Sequence, residues 1–375
     1  MNGLVKGKGA ANKVLIMAGG TGGHIFPGLA VADLLKSEGW DICWLGTPTR
    51  MEAQLVPQHG YDIRFIDVVG IRGNGLKRLL LAPFMILRSI FQAIKVIRQE
   101  QPSVVLGFGG FASGPGGVAA WLLRKPLVLH EQNAVAGFTN RTLAHIATKV
   151  LMAFPGTFAP SHQPQLVGNP IRQSISDLND QTEQGLAEQG LTEQDDKKLN
   201  VLIVGGSLGA QALNEFIPGI LLAQGDGVIE IWHQTGKGKL AQVEGLYQDV
   251  ANVRVDEFID DMTAAYQWAD LAICRAGALT VAEVAGAGIA AIFVPFPSAV
   301  DDHQTVNAGW LADNDAAIIV PQHELAQGKH NEKISQLLAN QPQLQKMAER
   351  ARQVAIIDGT DKVAAVCKAL AVVKK

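Results

Sequence analysis

Residues 271–283 have the sequence LAICRAGALTVAE, in which a short apolar run is followed by a glycine-containing turn and by a segment rich in alanine, valine and glutamate. The apolar run is typical of a buried parallel strand, and the segment after the turn favours a helix. A helix that begins directly after a strand points its first backbone N–H groups and the positive end of its dipole at the end of that strand, which suits a phosphate group. The stretch therefore predicts an α/β fold with an anion site at this turn.

A purely local interpretation of the same stretch is also available. Thr280 and Glu283 have the S/T-x-x-E spacing of a capping box, in which the two side chains close a helix N-terminus by binding its first amide groups. This stretch alone is compatible with both interpretations, a ligand site and a helix cap, and only other parts of the chain distinguish between them.

The same order of strand, glycine-rich turn and helix occurs twice more in the chain. Residues 13–18 precede GGTGGH at 19–24, and residues 200–204 precede GGSLGA at 205–210. The glycine spacing does not fit G-x-G-x-x-G cleanly, which argues against a hydride-transfer cofactor, and the absence of G-x-x-x-x-G-K-[ST] excludes a P-loop. Two successive β/α halves with such loops predict two Rossmann-like domains with a ligand held between them.

Two further polar segments follow apolar runs in the first half. The run at 104–106 leads into GFGGFASGPGG, where six of eleven residues are glycine, and the run at 127–129 is followed by His130, Glu131, Gln132 and Asn133. Because ligands of open parallel sheets bind at the carboxyl ends of the strands, both segments are predicted to contribute to a site.

Length and composition predict two domains with filled cores, since the chain has 375 residues, of which 47% are hydrophobic and 18% charged. We expect a frayed tail at 1–12, an N-terminal domain at 13–170, a linker with an acidic, glutamine-rich insertion at 171–199, a C-terminal domain at 200–355, and a final helix at 356–375 that packs back on the N-terminal domain.

The cysteines and the apolar runs indicate the compartment. Cys43, Cys274 and Cys367 have neither disulfide nor metal-ligand spacing, and Cys43 and Cys274 are predicted to be inert core residues, which fits a reducing cytoplasm. No secretory signal is visible, and the apolar run at 79–87, nine residues long, is far shorter than the roughly 20 residues needed to span a bilayer.

Charge is distributed unevenly, with +8 on residues 1–170 and −11 on the remainder. A basic half indicates an anionic partner, either nucleic acid or an anionic membrane surface. The chain has three tyrosines, so the aromatic platforms that bind single-stranded nucleic acid are scarce and the membrane is favoured. The basic, apolar segment at 70–99 fits either a crossover helix packed on the sheet or, around 76–87, a membrane-docking surface.

Metal chemistry is not favoured by the acidic clusters. The candidates for ligands are Asp301-Asp302-His303 and Asp260-Asp261, and we predict that neither binds a metal and that no cofactor is required. A transferase acting on a nucleotide-activated substrate explains the glycine-rich turns better, with helix dipoles stabilising the leaving diphosphate.

Taken together, the motifs resemble the MurG family of glycosyltransferases, which is glycosyltransferase family 28. They are GGTGGH (19–24), GFGGFASGP (107–115), HEQNAVAG (130–137), GNP-R (168–172), GGSLGA (205–210), CRAGALTVAE (274–283) and DDHQ (301–304), and the resemblance extends over residues 13–370. It implies a GT-B fold, in which two Rossmann-like β/α/β domains face each other across a deep cleft. It also implies an inverting transfer of GlcNAc from UDP-GlcNAc to the 4-hydroxyl of MurNAc in undecaprenyl-linked lipid I, which gives lipid II.

The resemblance also implies the site residues. Glu283 is expected to accept hydrogen bonds from the ribose diol, and the acceptor's pyrophosphate is expected near the first two glycine loops. The remaining positions are Thr21, Gly22, Gly23 and Asn133 near the donor sugar, Arg172 and Ser207 near the diphosphate or nucleotide, Ile259 near the uracil, Ala278, Leu279, Thr280, Val281 and Ala282 around the nucleotide, and Gln304 at the GlcNAc hydroxyls.

A direct displacement needs a base for the acceptor hydroxyl. His24 is the first candidate and Glu131 the rival, and His24 has the alternative role of a donor at a helix N-terminus. The resemblance further implies a peripheral enzyme on the cytoplasmic face of the bacterial inner membrane, with other proteins of cell-wall synthesis as partners and no nucleic acid.

Two other functions stay open on the residues. One is a GT-B transferase with a different acceptor, such as a glycolipid or a natural product. The other is a UDP-sugar epimerase or a non-catalytic nucleotide-sugar binding protein. A transfer assay with lipid I separates all of these.

Overall fold

The computed structural model describes residues 12–68, 75–178, 198–206, 208–225, 227–248, 250–299 and 302–372, and for residues 75–81 it gives the helical backbone alone. The chain divides into two units, of which the first consists of Met1–Pro170 and Asp358–Lys375 and the second of Ile171–Ile357. Of the predicted tail, residues 1–11 lie outside the described residues, as do residues 179–197 of the predicted acidic insertion.

Strands and helices alternate in the first unit, as apolar runs followed by glycine turns predict. The strands are β1 (Lys13–Ala18), β2 (Asp41–Gly46), β3 (Asp62–Phe65), β4 (Val104–Gly109), β5 (Leu127–Glu131), β6 (Lys149–Met152) and β7 (Gln165–Leu166). The helices are α1 (Gly22–Ser37), α2 (Glu52–Gln58), α3 (Gly75–Glu100), α4 (Ser113–Leu122), α5 (Phe138–Leu143) and a C-terminal helix, Gly359–Val372.

The strands of the first unit form one parallel sheet in the order β3-β2-β1-β4-β5-β6-β7. Alternate residues of β1 point to opposite faces, so Val14 and Ile16 belong to one buried cluster while Leu15 and Met17 belong to another. Because the strands are parallel, the loops that follow β1, β2, β4 and β5 share one edge of the sheet, which we call the carboxyl edge.

The second unit repeats this plan. Its strands are β8 (Leu199–Val204), β9 (Ile229–Gln234), β10 (Val253–Asp256), β11 (Leu271–Cys274), β12 (Ala290–Phe293) and β13 (Ala317–Ile319). Its helices are α6 (Gln211–Leu222), α7 (Leu240–Glu244), α8 (Met262–Trp268), α9 (Ala278–Ala287), α10 (His303–Ala312), α11 (Gln322–Ala326), α12 (Asn331–Leu338) and α13 (Gln341–Val354), so the C-terminal helix is α14.

The second sheet is also parallel, in the order β10-β9-β8-β11-β12-β13. This order matches that of the first six strands of the first sheet, with the first strand of each unit in the centre. The α/β class and the two Rossmann-like units predicted from the sequence are confirmed.

Helix α14 belongs to the first unit. Val363, Ala364 and Cys367 of α14 are buried in the same cluster as residues of β1 and α1, and Lys368 Nζ donates to Glu38 Oε1 at 2.8 Å, just after the end of α1. The helix therefore completes one face of the first sheet.

Several elements differ from those expected. His130 and Glu131 are the last residues of β5 and do not follow it. Strands β6, β7 and β13, of four, two and three residues, were not predicted.

The three cysteines are free and buried, and burial raises the thiol pKa of Cys43 and of Cys274 to about 12, which confirms their prediction as inert residues. Among the described residues, no helix is both long enough and apolar enough to cross a membrane.

Candidate active site

Two glycine loops touch at the carboxyl edge of the first sheet. One is Gly19–Gly23 after β1, and the other contains Gly110 after β4, the neighbouring strand. Gly110 has a φ of +90°, and a Cβ at this position would collide with the carbonyl oxygen of Gly19. Since only glycine combines this backbone conformation with the absence of a side chain, the two backbones can meet. Thr21 and Gly23 remain exposed at the edge.

A buried carboxylate that the sequence did not single out joins the first loop to the turn after β2. Glu52 is 1% exposed and accepts hydrogen bonds from the Gly20 backbone N–H at 2.9 Å and from the Thr47 hydroxyl at 2.7 Å. The Thr47 backbone N–H donates to the same oxygen at 3.0 Å. Because one acceptor serves both loops, their relative position is fixed. Gly20 lies 32 residues from Glu52, so no local pattern reveals the contact.

His24 is half-buried in the first turn of α1, and a backbone carbonyl orients its ring. Nδ1 lies 3.1 Å from the carbonyl oxygen of Gly19. A carbonyl oxygen only accepts, so Nδ1 carries the proton in this contact and Nε2 of the neutral ring holds the available lone pair. A Cβ on Gly109 would lie 3.2 Å from Nε2, which places this nitrogen beside the end of β4. In its neutral form, the ring therefore has Nε2 as its hydrogen-bond acceptor.

Glu131 ends β5 with its carboxylate buried, at 2% exposed. Oε1 accepts from the backbone N–H and the side-chain amide of Asn133 at 3.1 and 3.2 Å, and Oε2 accepts from the Gly137 N–H at 3.1 Å and the Asn140 amide at 2.9 Å. Both carboxylate oxygens are thus engaged by the protein itself. This arrangement holds the 133–137 turn and α5 against the sheet.

His130 precedes Glu131 and is fully buried. Its Nε2–H donates to the Gly168 carbonyl at 2.9 Å, and Nδ1 accepts from the Gln132 amide at 3.0 Å. Burial lowers the pKa of His130 to about 4, so the ring is neutral at physiological pH. These two hydrogen bonds hold the ring in place at the end of β5.

The carboxyl edge of the second sheet also contains a pair of touching glycine loops. Gly209, after β8, has a φ of +68°, and a Cβ there would collide with the carbonyl oxygen of Thr235, after β9. The Gln234 amide donates to the Gly206 carbonyl at 3.1 Å and to the Glu257 carbonyl at 2.8 Å, which fixes the two loops to each other. Ser207, predicted near the diphosphate, lies outside the described residues.

The capping box predicted for Thr280 and Glu283 is wrong. Helix α9 begins at Ala278, and its N-cap is Gly277, which has no side chain with which to cap the helix. Thr280 is already inside the first turn, because Gly277 adopts the extended conformation that an N-cap requires, with φ −61° and ψ 142°. Leu279 and Thr280 lie in the first turn of α9, whose N-terminus faces the end of β11.

Glu283 lies one turn into α9 and is 7% exposed. Its Oε2 accepts a hydrogen bond from the Tyr266 hydroxyl at 3.2 Å. Burial raises the pKa of Glu283 to about 7, while the positive charge of Arg172 and the Tyr266 hydroxyl act in the opposite direction. Arg172 is exposed and belongs to the same unit, and since its charge acts on the Glu283 carboxylate, these two predicted site residues lie near each other. None of the sequence motifs indicated Tyr266.

Gln304 lies in the first turn of α10, and its Oε1 accepts from the Phe296 backbone N–H at 2.9 Å, which orients the amide group. Ile259 is buried beside the exposed Phe258, and Val281 is buried within α9, whereas Ala282 is half-buried. Among the described residues, no group of three or more His, Cys, Asp or Glu side chains could hold a metal ion, and Asp301 lies outside them.

Two family models match the chain. The glycosyltransferase family 28 N-terminal domain matches residues 14–152, and the glycosyltransferase family 28 C-terminal domain matches residues 200–363. The two matches fall on the two sheets.

Several relatives that share one name match nearly the whole chain. That name is UDP-N-acetylglucosamine–N-acetylmuramyl-(pentapeptide) pyrophosphoryl-undecaprenol N-acetylglucosamine transferase. The protein from Aeromonas hydrophila is 57% identical over 96% of this chain and 97% of its own. The protein from Shewanella denitrificans is 55% identical over 96% of this chain and 98% of its own. A solved structure of MurG from Acinetobacter baumannii is 44% identical, with a TM-score of 0.80 over 96% of this chain and 99% of its own.

Proposed function

The chain belongs to glycosyltransferase family 28, and we infer that it transfers N-acetylglucosamine from UDP-GlcNAc to the undecaprenyl-linked muramyl-pentapeptide acceptor, lipid I. The product is lipid II, a precursor of peptidoglycan. The observation that carries this function is the 57% identity to a transferase of that name over 96% of the chain. Its fold is α/β of the GT-B type, as the structural match to MurG confirms.

The reaction is one displacement at the anomeric carbon of GlcNAc. The 4-hydroxyl of MurNAc attacks this carbon, loses its proton to a base, and UDP leaves with the electron pair of the broken bond. Attack from the face opposite the leaving group converts the α-linkage of the donor to a β-linkage. The protein therefore needs a base for the hydroxyl and a cationic or dipolar environment for the diphosphate.

The second unit is proposed to bind the donor. The N-terminus of α9 and Arg172 suit the diphosphate, because backbone N–H groups and a guanidinium both bind phosphate oxygens. Glu283 suits the ribose diol, since the Tyr266 hydroxyl is the donor found for its carboxylate among the described residues and further acceptor capacity remains. Gln304 stays a proposal for the GlcNAc hydroxyls and Ile259 for the uracil.

The first unit is proposed to bind the acceptor and to supply the base. His24 has an Nε2 lone pair that the Gly19 contact leaves available, whereas both oxygens of Glu131 are engaged by donors of the protein. We therefore assign the base to His24 and a positioning role to Glu131, which fixes Asn133. Thr21, Gly22, Gly23 and Asn133 stay proposals for contacts to the transferred sugar.

The test of the function is direct. Labelled UDP-GlcNAc and a lipid I analogue are incubated with the protein, and the lipid-linked disaccharide and free UDP are quantified. Equal amounts of both products are expected. Release of UDP without a glycoside, or transfer to another acceptor but to no lipid I analogue, would overturn the assignment in favour of an epimerase-like or a different transferase function.

Association with an anionic membrane surface at the cytoplasmic face of the inner membrane is proposed as well. Helix α3 exposes Phe84 at 70%, Leu87 at 54% and Phe91 at 69%. Leu79 and the basic residues at 77–78, which the sequence grouped with them, lie where the structure gives the backbone alone. Exposed apolar side chains in a basic unit suit a lipid surface.

Co-sedimentation with anionic liposomes tests the membrane proposal. Replacing Phe84 and Leu87 by serine should reduce binding, while replacing the exposed Val228 and Leu246 of the second unit should not. Equal binding of both double variants would contradict a docking surface on α3.

A further inference from the structure

Arg50 lies at the carboxyl edge of the first sheet, in the turn after β2. Its guanidinium carbon is 4.9 Å from the centroid of the Phe111 ring. Phe111 directly follows Gly110 and is 41% exposed, and a Cβ on Gly20 would lie 4.0 Å from the Phe111 ring. The cation is therefore held on an aromatic face beside both glycine loops of the first unit.

The turn that carries Arg50 is fastened to these loops. Glu52, two residues later, accepts hydrogen bonds from Thr47 in the same turn and from Gly20 in the first glycine loop. Strands β2, β1 and β4 are neighbours in the sheet, so the three loops form one continuous surface. The position of the guanidinium is thus set by the fold, at low cost in side-chain entropy on binding.

The charge of Arg50 is not neutralised by a described carboxylate. In the same unit, Arg64 pairs with Glu100 at 2.7 Å and Arg88 with Asp67 at 2.8 Å, whereas the described part of the chain contains no ion pair to Arg50. Arg50 is exposed. A guanidinium stacked on a ring keeps the N–H donors of its plane directed outward, where they match two phosphate oxygens.

We propose that Arg50 binds a phosphate group of the acceptor's diphosphate, with Phe111 holding the guanidinium and Glu52 as a positioning residue for its turn. This inference rests on the proposed function, because it requires an acceptor that carries a diphosphate. The donor also carries one, but the α9 start and Arg172 serve it in the second unit. Arg50 belongs to the unit with the basic excess and binds the acceptor.

Steady-state kinetics of Arg50→Ala, Arg50→Lys and Arg98→Ala test the proposal. Arg98→Ala is the matched control, since it removes an exposed guanidinium from the same unit at the last turn of α3. We expect Arg50→Ala to raise the KM for the lipid I analogue by about 10- to 100-fold, because a charged hydrogen bond is lost. Arg50→Lys should recover part of this, as a point charge without the bidentate geometry. The KM for UDP-GlcNAc should stay within about twofold, and so should both constants of Arg98→Ala.

The outcomes separate the two claims. Wild-type transfer with an unchanged acceptor KM in Arg50→Ala overturns the role of Arg50 and leaves the proposed function intact. A rise in the KM for UDP-GlcNAc alone assigns Arg50 to the donor and likewise overturns the proposal. No transfer by the wild-type protein overturns the proposed function and this inference with it. Equal thermal unfolding temperatures of Arg50→Ala and Arg98→Ala exclude a folding defect as the cause of a changed KM.

Discussion

Each unit buries a glutamate at the carboxyl edge of its sheet, but the two carboxylates have opposite environments. Glu131 in the first unit receives hydrogen bonds on both oxygens, from two backbone N–H groups and two side-chain amides. Glu283 in the second unit has the Tyr266 hydroxyl, and burial raises its pKa to about 7. A buried carboxylate with filled acceptor sites anchors the fold, whereas one with remaining capacity is suited to a ligand.

The comparison extends to the residues around each glutamate. The first unit places an oriented imidazole, His24, beside its glycine loops, and the second places a helix N-terminus and Arg172 near its own. The proposed function places chemistry at the acceptor hydroxyl in the first unit and binding of the donor in the second. The following substitutions test that proposal in order of expected effect.

Loss of the base is expected to have the largest effect. His24→Ala should lower kcat by about 10²–10⁴-fold, because proton transfer from the acceptor hydroxyl is no longer assisted, with the Kd for UDP-GlcNAc unchanged within about twofold. Turnover and calorimetric binding check this, with the exposed His145→Ala of the same unit as control. Near-normal turnover would contradict the proposal that His24 is the base.

Glu131→Gln should destabilise the first unit by about 3 kcal/mol, because the new NH₂ group faces N–H donors that the carboxylate had accepted. Calorimetric unfolding of the two units measures the change. An unfolding temperature equal to that of the wild-type protein, combined with a large loss of kcat, would return Glu131 to the chemistry and contradict its assignment as an anchor.

Glu283→Gln should raise the free energy of unfolding, whereas Glu131→Gln should lower it. The folded pKa of about 7 lies above the ordinary value of 4.5, so the contribution of Glu283 to stability is present below pH 4.5 and is lost as pH rises through 7. At pH 8 the glutamine variant should therefore be more stable by about 3 kcal/mol, with no difference below pH 4.5. It should also bind UDP-GlcNAc about tenfold more weakly or worse, since the charged acceptor is gone. If the variant is stabilised but binds the donor with unaltered affinity, the proposal that Glu283 binds the ribose is wrong.

The smallest effect is the pH dependence of donor binding. The proposed ribose contact favours the ionised carboxylate, so affinity for UDP-GlcNAc should fall as pH drops below about 7, by less than the roughly tenfold loss expected for Glu283→Gln. In Glu283→Gln this slope should be absent. Titration calorimetry between pH 5.5 and 8 measures both proteins, and parallel profiles would assign the dependence to another group.

The elements that the sequence predicted best are those with a local signal. Apolar runs followed by glycine gave β1, β4 and β8 with nearly correct bounds, and the glycines at 19–23 and 205–209 lie where backbones touch. Glu52 and Tyr266 were missed because their partners are distant in the chain, and a glutamate or tyrosine has no local pattern that reveals burial. The Thr280 cap was predicted wrongly because the S/T-x-x-E spacing does not register that Gly277 itself can serve as the N-cap.

The assignment of α14 to the first unit has a consequence for synthesis at the ribosome. The second unit interrupts the first, so its 187 residues, Ile171–Ile357, are translated while one face of the first sheet still lacks its last helix. Val363, Ala364 and Cys367 complete that face only when the end of the chain emerges. The first unit is therefore begun first and finished last, and nascent chains halted before residue 358 should present an unfinished apolar surface to chaperones.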